Sequence, residues 1–350
     1  MKIYFDNIIY TLQKAGGISV VWTNLIKNVL QNKTPFSYTF LEYNNSTNNI
    51  CRKNIYIPTE YIKKIRTKYL KILRYFNPTI ESSDKFIFHS SYYRICKNKN
   101  AINITTVHDF TYEFFNKNYI KRKIHQYQKF NAIKKADIIV CISQNTKKDL
   151  LHFLPDIDDN KIKVIYNGVN EEFYYKGDKT YDNFVLFVGQ RKGYKNFNTC
   201  IKPIADEGYT LYIVGGGKLT SKEKEKLENL KCNYKTFENI SNEELNLLYN
   251  KAYCLIYPSL YEGFGLPVVE AQKAGCPVIA VNSSSIPEVI GDTRMLVEQA
   301  TLKSITAKLK ELKNPAFRDE IIKKGIETAK LFSWTKMTQE YIKLYTDCLK

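Results

Sequence analysis

Short runs rich in β-branched and aromatic residues alternate with amphipathic stretches along this chain. They do so in two series, separated by a polar segment without periodicity, Asn170–Asp182. Such alternation predicts an α/β fold with parallel sheets, because parallel strands need crossover helices between them. The first series predicts strands at Lys2–Ile8, Ser37–Leu41, Phe86–His89, Ile104–His108, Ile138–Ile142 and Lys163–Tyr166. After the first loop, Ile18, Val21, Trp22, Leu25, Ile26, Val29 and Leu30 form a single apolar helical stripe. The second series predicts strands at Phe184–Val188, Thr210–Val214, Tyr234–Phe237, Cys254–Tyr257, Pro277–Val281 and Met295–Val297, and Ser241–Glu244 opens a helix as a capping box. A chain of 350 residues can give each series its own core. Two Rossmann-like units in tandem are expected to face each other across a cleft at the carboxyl ends of their strands.

No apolar run approaches the roughly 20 residues of a membrane span, and the amino-terminal residues read as a buried strand, not a signal peptide. Eight scattered cysteines without a CxxC pair predict reduced thiols and a cytoplasmic setting. The net charge of +18 is unevenly placed: residues 1–165 carry 27 Lys and Arg against 12 Asp and Glu. A surface of that kind attracts a polyanion, either an anionic membrane or nucleic acid.

The most informative string is Pro258-Ser259-Leu260-Tyr261-Glu262-Gly263-Phe264-Gly265-Leu266-Pro267-Val268-Val269-Glu270-Ala271. A buried strand enters a loop where Gly263 and Gly265 allow close backbone approach. A helix follows, with Pro267 in its first turn and a start suited to phosphate. Glu262 and Glu270, with seven residues between them, can serve the sugar and the ribose of one ligand. Earlier in the same half, Val188-Gly189-Gln190-Arg191-Lys192-Gly193-Tyr194-Lys195-Asn196 places cations at a strand's carboxyl end, where they can neutralise a diphosphate. In the first half, Ala15-Gly16-Gly17-Ile18-Ser19 follows the first strand, and Thr106-Val107-His108-Asp109-Phe110 ends an apolar strand.

Together these segments resemble the retaining glycosyltransferases of family 4, of the bacterial polysaccharide and lipopolysaccharide type, with the two-domain fold called GT-B. The order of Cys141–Leu150, Val164–Asn170, Ala274–Ala280 and Ser285–Val289 is similar to the same family. The resemblance implies an acceptor-side domain over 1–169, a nucleotide-sugar-binding domain over 170–332, and a helix over 333–350 that returns to the first domain. It implies that His108, Asp109 and Glu262 are catalytic. It gives Gly16, Gly17, Arg191, Lys195, Gly263, Phe264, Gly265, Leu266 and Glu270 to the donor nucleotide, with Lys192 as the alternative cation. It implies no metal and no cofactor, so Asp156-Ile157-Asp158-Asp159 reads as a turn and not as a DxD metal motif. The implied reaction moves a sugar from GDP-mannose or a UDP-sugar to a glycan acceptor, expected to be lipid-linked, in surface polysaccharide biosynthesis. The rival readings are an inactive partner subunit, a nucleic-acid-binding protein on the same scaffold, and a nucleotide-sugar epimerase. The intact set of Arg191, Lys195, Glu262 and Glu270 disfavours an inactive subunit, and the family string disfavours an epimerase.

One further stretch stands apart. In Tyr61–Phe76, Ile62, Ile65, Tyr69, Ile72, Leu73 and Phe76 fall on one helical face among Lys63, Lys64, Arg66, Lys68, Lys71 and Arg74, with no acidic residue. The pattern predicts a basic amphipathic helix that lies on an anionic membrane. With no nucleic acid expected as partner, it places the protein in the cytoplasm or on the inner face of the cell membrane.

Overall fold

The computed structural model describes residues 1–66, 72, 74–177, 180–191 and 193–348. It divides into two compact units, one of Met1–Gly168 with Trp334–Lys350 and one of Val169–Ser333.

The first unit is built on a seven-stranded sheet of order β3-β2-β1-β4-β5-β6-β7, every pair parallel. Its strands are β1 (Lys2–Asp6), β2 (Ser37–Tyr43), β3 (Ile62–Ile65), β4 (Phe86–Ser90), β5 (Ala101–Val107), β6 (Ile138–Cys141) and β7 (Ile162–Val164). The apolar stripe forms the Gly17–Gln31 helix and buries Val21, Trp22, Leu25, Ile26 and Val29. The closing helix, Trp334–Asp347, packs on it and inserts Tyr341 and Tyr345. Tyr345 meets His89 Nδ1 at 2.8 Å, His89 Nε2 meets Thr106 Oγ1 at 2.9 Å, and Tyr341 reaches the same Thr106 at 3.1 Å. Burial pushes His89 down to about 3, so the ring is neutral at physiological pH. Beside it, Asp6 accepts hydrogen bonds from Tyr43 and Ser90 and pairs with Arg94 at 3.1 Å, so three strands share one buried charge network.

The second unit has six parallel strands in the order β10-β9-β8-β11-β12-β13. They are β8 (Phe184–Val188), β9 (Thr210–Val214), β10 (Tyr234–Phe237), β11 (Cys254–Tyr257), β12 (Val278–Val281) and β13 (Leu296–Val297). Its core gathers Val185, Phe187, Leu211, Ile213, Ile256 and Ile279 from the strands with Ile201, Ile204 and Leu309 from the helices. In each unit the strand order reverses beside the first strand, between β1 and β4 and between β8 and β11. A reversal of this kind opens a crevice at the carboxyl edge of an open α/β sheet.

The basic amphipathic helix expected over Tyr61–Phe76 is corrected over its first part. Ile62–Ile65 is the edge strand β3, paired with β2 in the register Phe40↔Ile62 to Tyr43↔Ile65. A pair of isoleucines three apart satisfies a helical stripe, but here the free edge of β2 takes the segment as a strand. Lys63 and Lys64 are exposed there, and charged side chains on an edge strand oppose sheet-to-sheet association. Most of 67–73 lies outside the described residues. No helix among those described is long and apolar enough to cross a membrane.

Candidate functional site

The string from Pro258 to Ala271 folds as its chemistry requires. β11 ends at Tyr257, a loop carries Glu262, and a helix runs over Leu266–Lys273 with Pro267 in its first turn. Gly265 caps that helix at φ +99°, and a Cβ there would meet Ile286 Cδ1 at 2.8 Å. Backbone conformation and packing both demand glycine at this position. The loop is held from the next strand connection: the Glu262 N–H donates to Ser284 Oγ at 2.8 Å, and Ser285 Oγ donates to the Glu262 carbonyl at 3.0 Å.

Lys195 reaches this loop from the β8 side. Its Nζ lies 2.6 Å from Glu262 Oε1 and 3.5 Å from the Tyr257 hydroxyl. Glu262 therefore offsets the charge of Lys195. Glu270 sits one helical turn further on, with Tyr249 donating to it at 3.3 Å. Its carboxyl is lined by protein, and burial pushes it up to about 7. Two polar groups thus lie along this segment: Lys195 with Glu262 and Tyr257, and Tyr249 with Glu270. Gly263, Phe264 and Leu266 supply the loop and helix start between the two carboxylates.

Arg191, expected at the donor phosphates, makes several contacts within the protein. Its guanidinium donates to Glu223 at 3.0 Å, to the Gly215 carbonyl at 2.8 Å, and to the carbonyls of Gly217 and Lys218 at 2.9 Å. It packs so closely that a Cβ on Gly216, at φ +77°, would meet its Nη1 at 2.6 Å. Its guanidinium is engaged within the protein on several sides, so Arg191 first braces the loop after β9. Lys195 is the cation placed beside Glu262. Lys192 lies outside the described residues.

In the first unit, Gly16 and Gly17 start the Gly17–Gln31 helix, which Gly16 enters from an extended backbone. His108 is buried just beyond β5, and burial pushes it down to about 4, so its ring is neutral near pH 7. Asp109 accepts from the Thr111 N–H at 2.9 Å, and its carbonyl accepts from Lys129. Asp158 and Asp159 of the rejected metal motif are a cap and a surface ion pair: Asp158 accepts from the Asn160 N–H, and Asp159 pairs with Lys147 at 2.6 Å.

Two family models cover nearly the whole chain: "Glycosyltransferase Family 4" over residues 15–173 and "Glycosyl transferases group 1" over residues 170–328. An uncharacterised glycosyltransferase of Methanocaldococcus jannaschii is 30% identical, with 99% of this chain and 98% of that protein covered. The chain belongs to glycosyltransferase family 4. The O-antigen chain mannosyltransferase RfbU of Salmonella typhimurium is also 30% identical, over 59% of this glycosyltransferase and 60% of the relative. Among solved structures, sucrose-phosphate synthase from Thermosynechococcus elongatus superposes with a TM-score of 0.77 at 16% identity, with 100% and 99% of the two chains covered. Anabaena HepE, in complex with UDP and glucose, gives 0.68 at 13% identity, with 99% of each chain covered. These likenesses establish the fold of the glycosyltransferase as GT-B.

Sequence reasoning missed one buried group in this glycosyltransferase. Lys129, wholly buried, lies 3.1 Å from Glu113 Oε2, and His125 Nδ1 lies 3.6 Å from Glu113 Oε1. Lys129 also reaches the Asp109 carbonyl directly after His108. The signal was present but inverted. Along the Tyr119–Lys135 helix, His125, Gln128, Lys129, Ala132 and Ile133 are the buried residues, at the spacing of a core stripe but largely polar.

Proposed function

We propose that the enzyme is a retaining transferase of surface polysaccharide synthesis, using GDP-mannose or a UDP-sugar as donor and a lipid-linked glycan as acceptor. The observation that carries the donor half is the Lys195–Glu262 pair on the loop after β11, with Glu270 on the helix that this loop enters. In the reaction the bond from the anomeric carbon to the diphosphate breaks, a bond to the acceptor oxygen forms, and the nucleoside diphosphate leaves, taking the acceptor hydroxyl's proton on the same face. Lys195 and the helix start at Gly265–Leu266 stabilise the departing charge by preorganised electrostatics. Glu270 accepts from the ribose hydroxyls, and Glu262 holds the sugar. His108 and Asp109 act on the sugar, the His108 imidazole held neutral by burial. The named mannosyltransferase relatives support a mannosyl donor and a polysaccharide product.

We place the protein peripherally on the inner face of the cell membrane. The basic surface of the first unit, including Lys63 and Lys64 on β3, supports contact with anionic lipid. The direct test is a thermal-shift comparison of GDP, UDP, ADP and CMP, followed by NMR of the transferred anomeric centre with the donor that stabilises. Selective stabilisation by one nucleotide, and an anomeric configuration matching the donor's, are expected; an inverted product overturns the retaining assignment. Transfer is expected to persist in EDTA, and loss that Mn²⁺ or Mg²⁺ restores would show that a metal, not Lys195, neutralises the departing diphosphate.

A further inference from the structure

A second cavity belongs wholly to the first unit. It has a volume of about 560 Å³ and is lined by Thr11, Leu12, Arg74, Tyr75, Tyr112, Lys121 and Ile124, a size in the range of small-ligand sites. Thr11 and Leu12 follow β1 and Tyr112 follows β5, which puts it at the carboxyl edge of the sheet, where open α/β folds bind ligands. Among the described residues, two cations and no carboxylate line it. Arg74 is held by aromatic faces: its guanidinium lies 4.7 Å from the Tyr75 ring and 5.6 Å from the Tyr92 ring, and its Nε is buried with no hydrogen-bond partner among the described residues. A buried cationic donor without an acceptor is costly unless something brings one. Lys121 is exposed and makes no ion pair among the described residues. Glu113, next to Tyr112 in the chain, is engaged by Lys129 and His125. The wall is stiff, because Tyr112 stacks on His125 at 4.2 Å and His125 Nε2 meets the Tyr92 hydroxyl at 3.1 Å.

We propose that this cavity recognises a sugar phosphate on the acceptor, with the phosphate between Arg74 and Lys121 and the sugar ring against Tyr112 and Tyr75. The inference rests on the glycosyltransferase reading and deepens it: the acceptor class becomes a phosphorylated glycan, whether lipid-borne or free. Arg offers a planar fork and Lys a point charge, a pairing suited to phosphate oxygens.

The test is calorimetric titration without donor, so it does not depend on turnover. The probes are a hexose 1-phosphate, a dodecyl hexosyl phosphate and the neutral dodecyl hexoside of the same sugar, the alkyl probes below micelle formation. The phosphorylated alkyl probe should bind at least tenfold more tightly than the neutral one. The Arg74→Gln, Lys121→Gln double variant should erase that preference, and Tyr112→Ala should weaken both alkyl probes. The Lys134→Gln, Lys135→Gln control should keep the preference. Binding of the free hexose phosphate as tightly as the alkyl form would assign the site to soluble sugar phosphates; tighter binding of the alkyl form would assign it to lipid-borne ones. Equal binding of charged and neutral alkyl probes by the wild type, or an undiminished preference in the double variant, overturns the proposal. Nucleotide affinity, measured on the same samples, reports separately on the donor site and should not change.

Discussion

Glu270 is the residue whose behaviour should change most with pH. Burial raises its carboxyl to about 7, above its ordinary value of 4.5. The fold therefore favours the protonated form, a contribution complete below 4.5 and lost as pH rises through 7. In the proposed donor site ribose hydroxyls would donate to the ionised form, so ligand binding would run in the opposite sense. Nucleotide affinity should rise with pH to about 7 and level off above it, with a slope approaching tenfold per unit on the acid side. Glu270→Gln should flatten that profile between about pH 5.5 and 8, and a wild-type profile already flat would remove the ribose role. Lys195→Ala should weaken nucleotide binding roughly 10- to 100-fold, the usual result of losing a charged partner. Arg191→Ala should behave differently, because its hydrogen bonds lie within the unit. We expect a destabilisation of about 1–3 kcal/mol, read as a lower unfolding midpoint, with a smaller loss of nucleotide affinity than Lys195→Ala.

The elements themselves were legible wherever local pattern and tertiary environment agree. The Gly17–Gln31 helix, the Ser241 capping box and the strand–loop–helix around Glu262 follow from periodicity, capping chemistry and glycine placement. Pro277, which has no N–H to give a ladder, falls just outside β12. One element was misread and another passed unread, each for a physical reason. Ile62–Ile65 satisfies a helical stripe, yet the open edge of β2 supplies four backbone partners that no local rule foresees. The Tyr119–Lys135 helix hides its polar residues and exposes Tyr119, Ile120, Ile124 and Tyr127, so the usual rule assigns its faces the wrong way round. The neighbourhood of Lys195 and Glu262 could be anticipated from sequence, but not the engagement of Arg191, because the carbonyls it meets come from a loop more than twenty residues away. The exposed face of this helix, with Lys121 and Lys123 nearby and no acidic residue from Phe114 to Ala136, should share in membrane contact. In low-salt co-sedimentation with anionic vesicles, changing Tyr119, Ile120 and Tyr127 to Ser should reduce binding more than changing Lys63 and Lys64 to Glu. Equal recovery of both variants and the wild type in the pellet would exclude this face as a lipid contact.

At the scale of the whole molecule, the chain leaves the first unit after Gly168 and returns to it at Trp334, and Val169 and Ser333 are joined by a β-bridge. The second unit is thus an insertion whose ends lie together, and residues 169–333 should be expressible alone, keeping nucleotide binding measurable by thermal shift. The first unit has no such independence. Removing residues 334–350 takes away Trp334, Met337, Tyr341, Leu344 and Tyr345, all buried, each worth about 1.5–3 kcal/mol of burial. Together these approach the ~5–15 kcal/mol that holds a domain folded. The truncated chain should show one cooperative unfolding transition in place of two by calorimetry, and two intact transitions would refute the dependence. A ribosome makes this molecule from the amino terminus, and domains generally fold as units during synthesis. The sheet that begins at Lys2 must therefore wait, with His89 and Phe5 uncovered, while the whole inserted unit is translated and folds. A nascent chain stalled anywhere before Tyr345 lacks the helix that covers this sheet, and is a client for chaperones and not yet an enzyme.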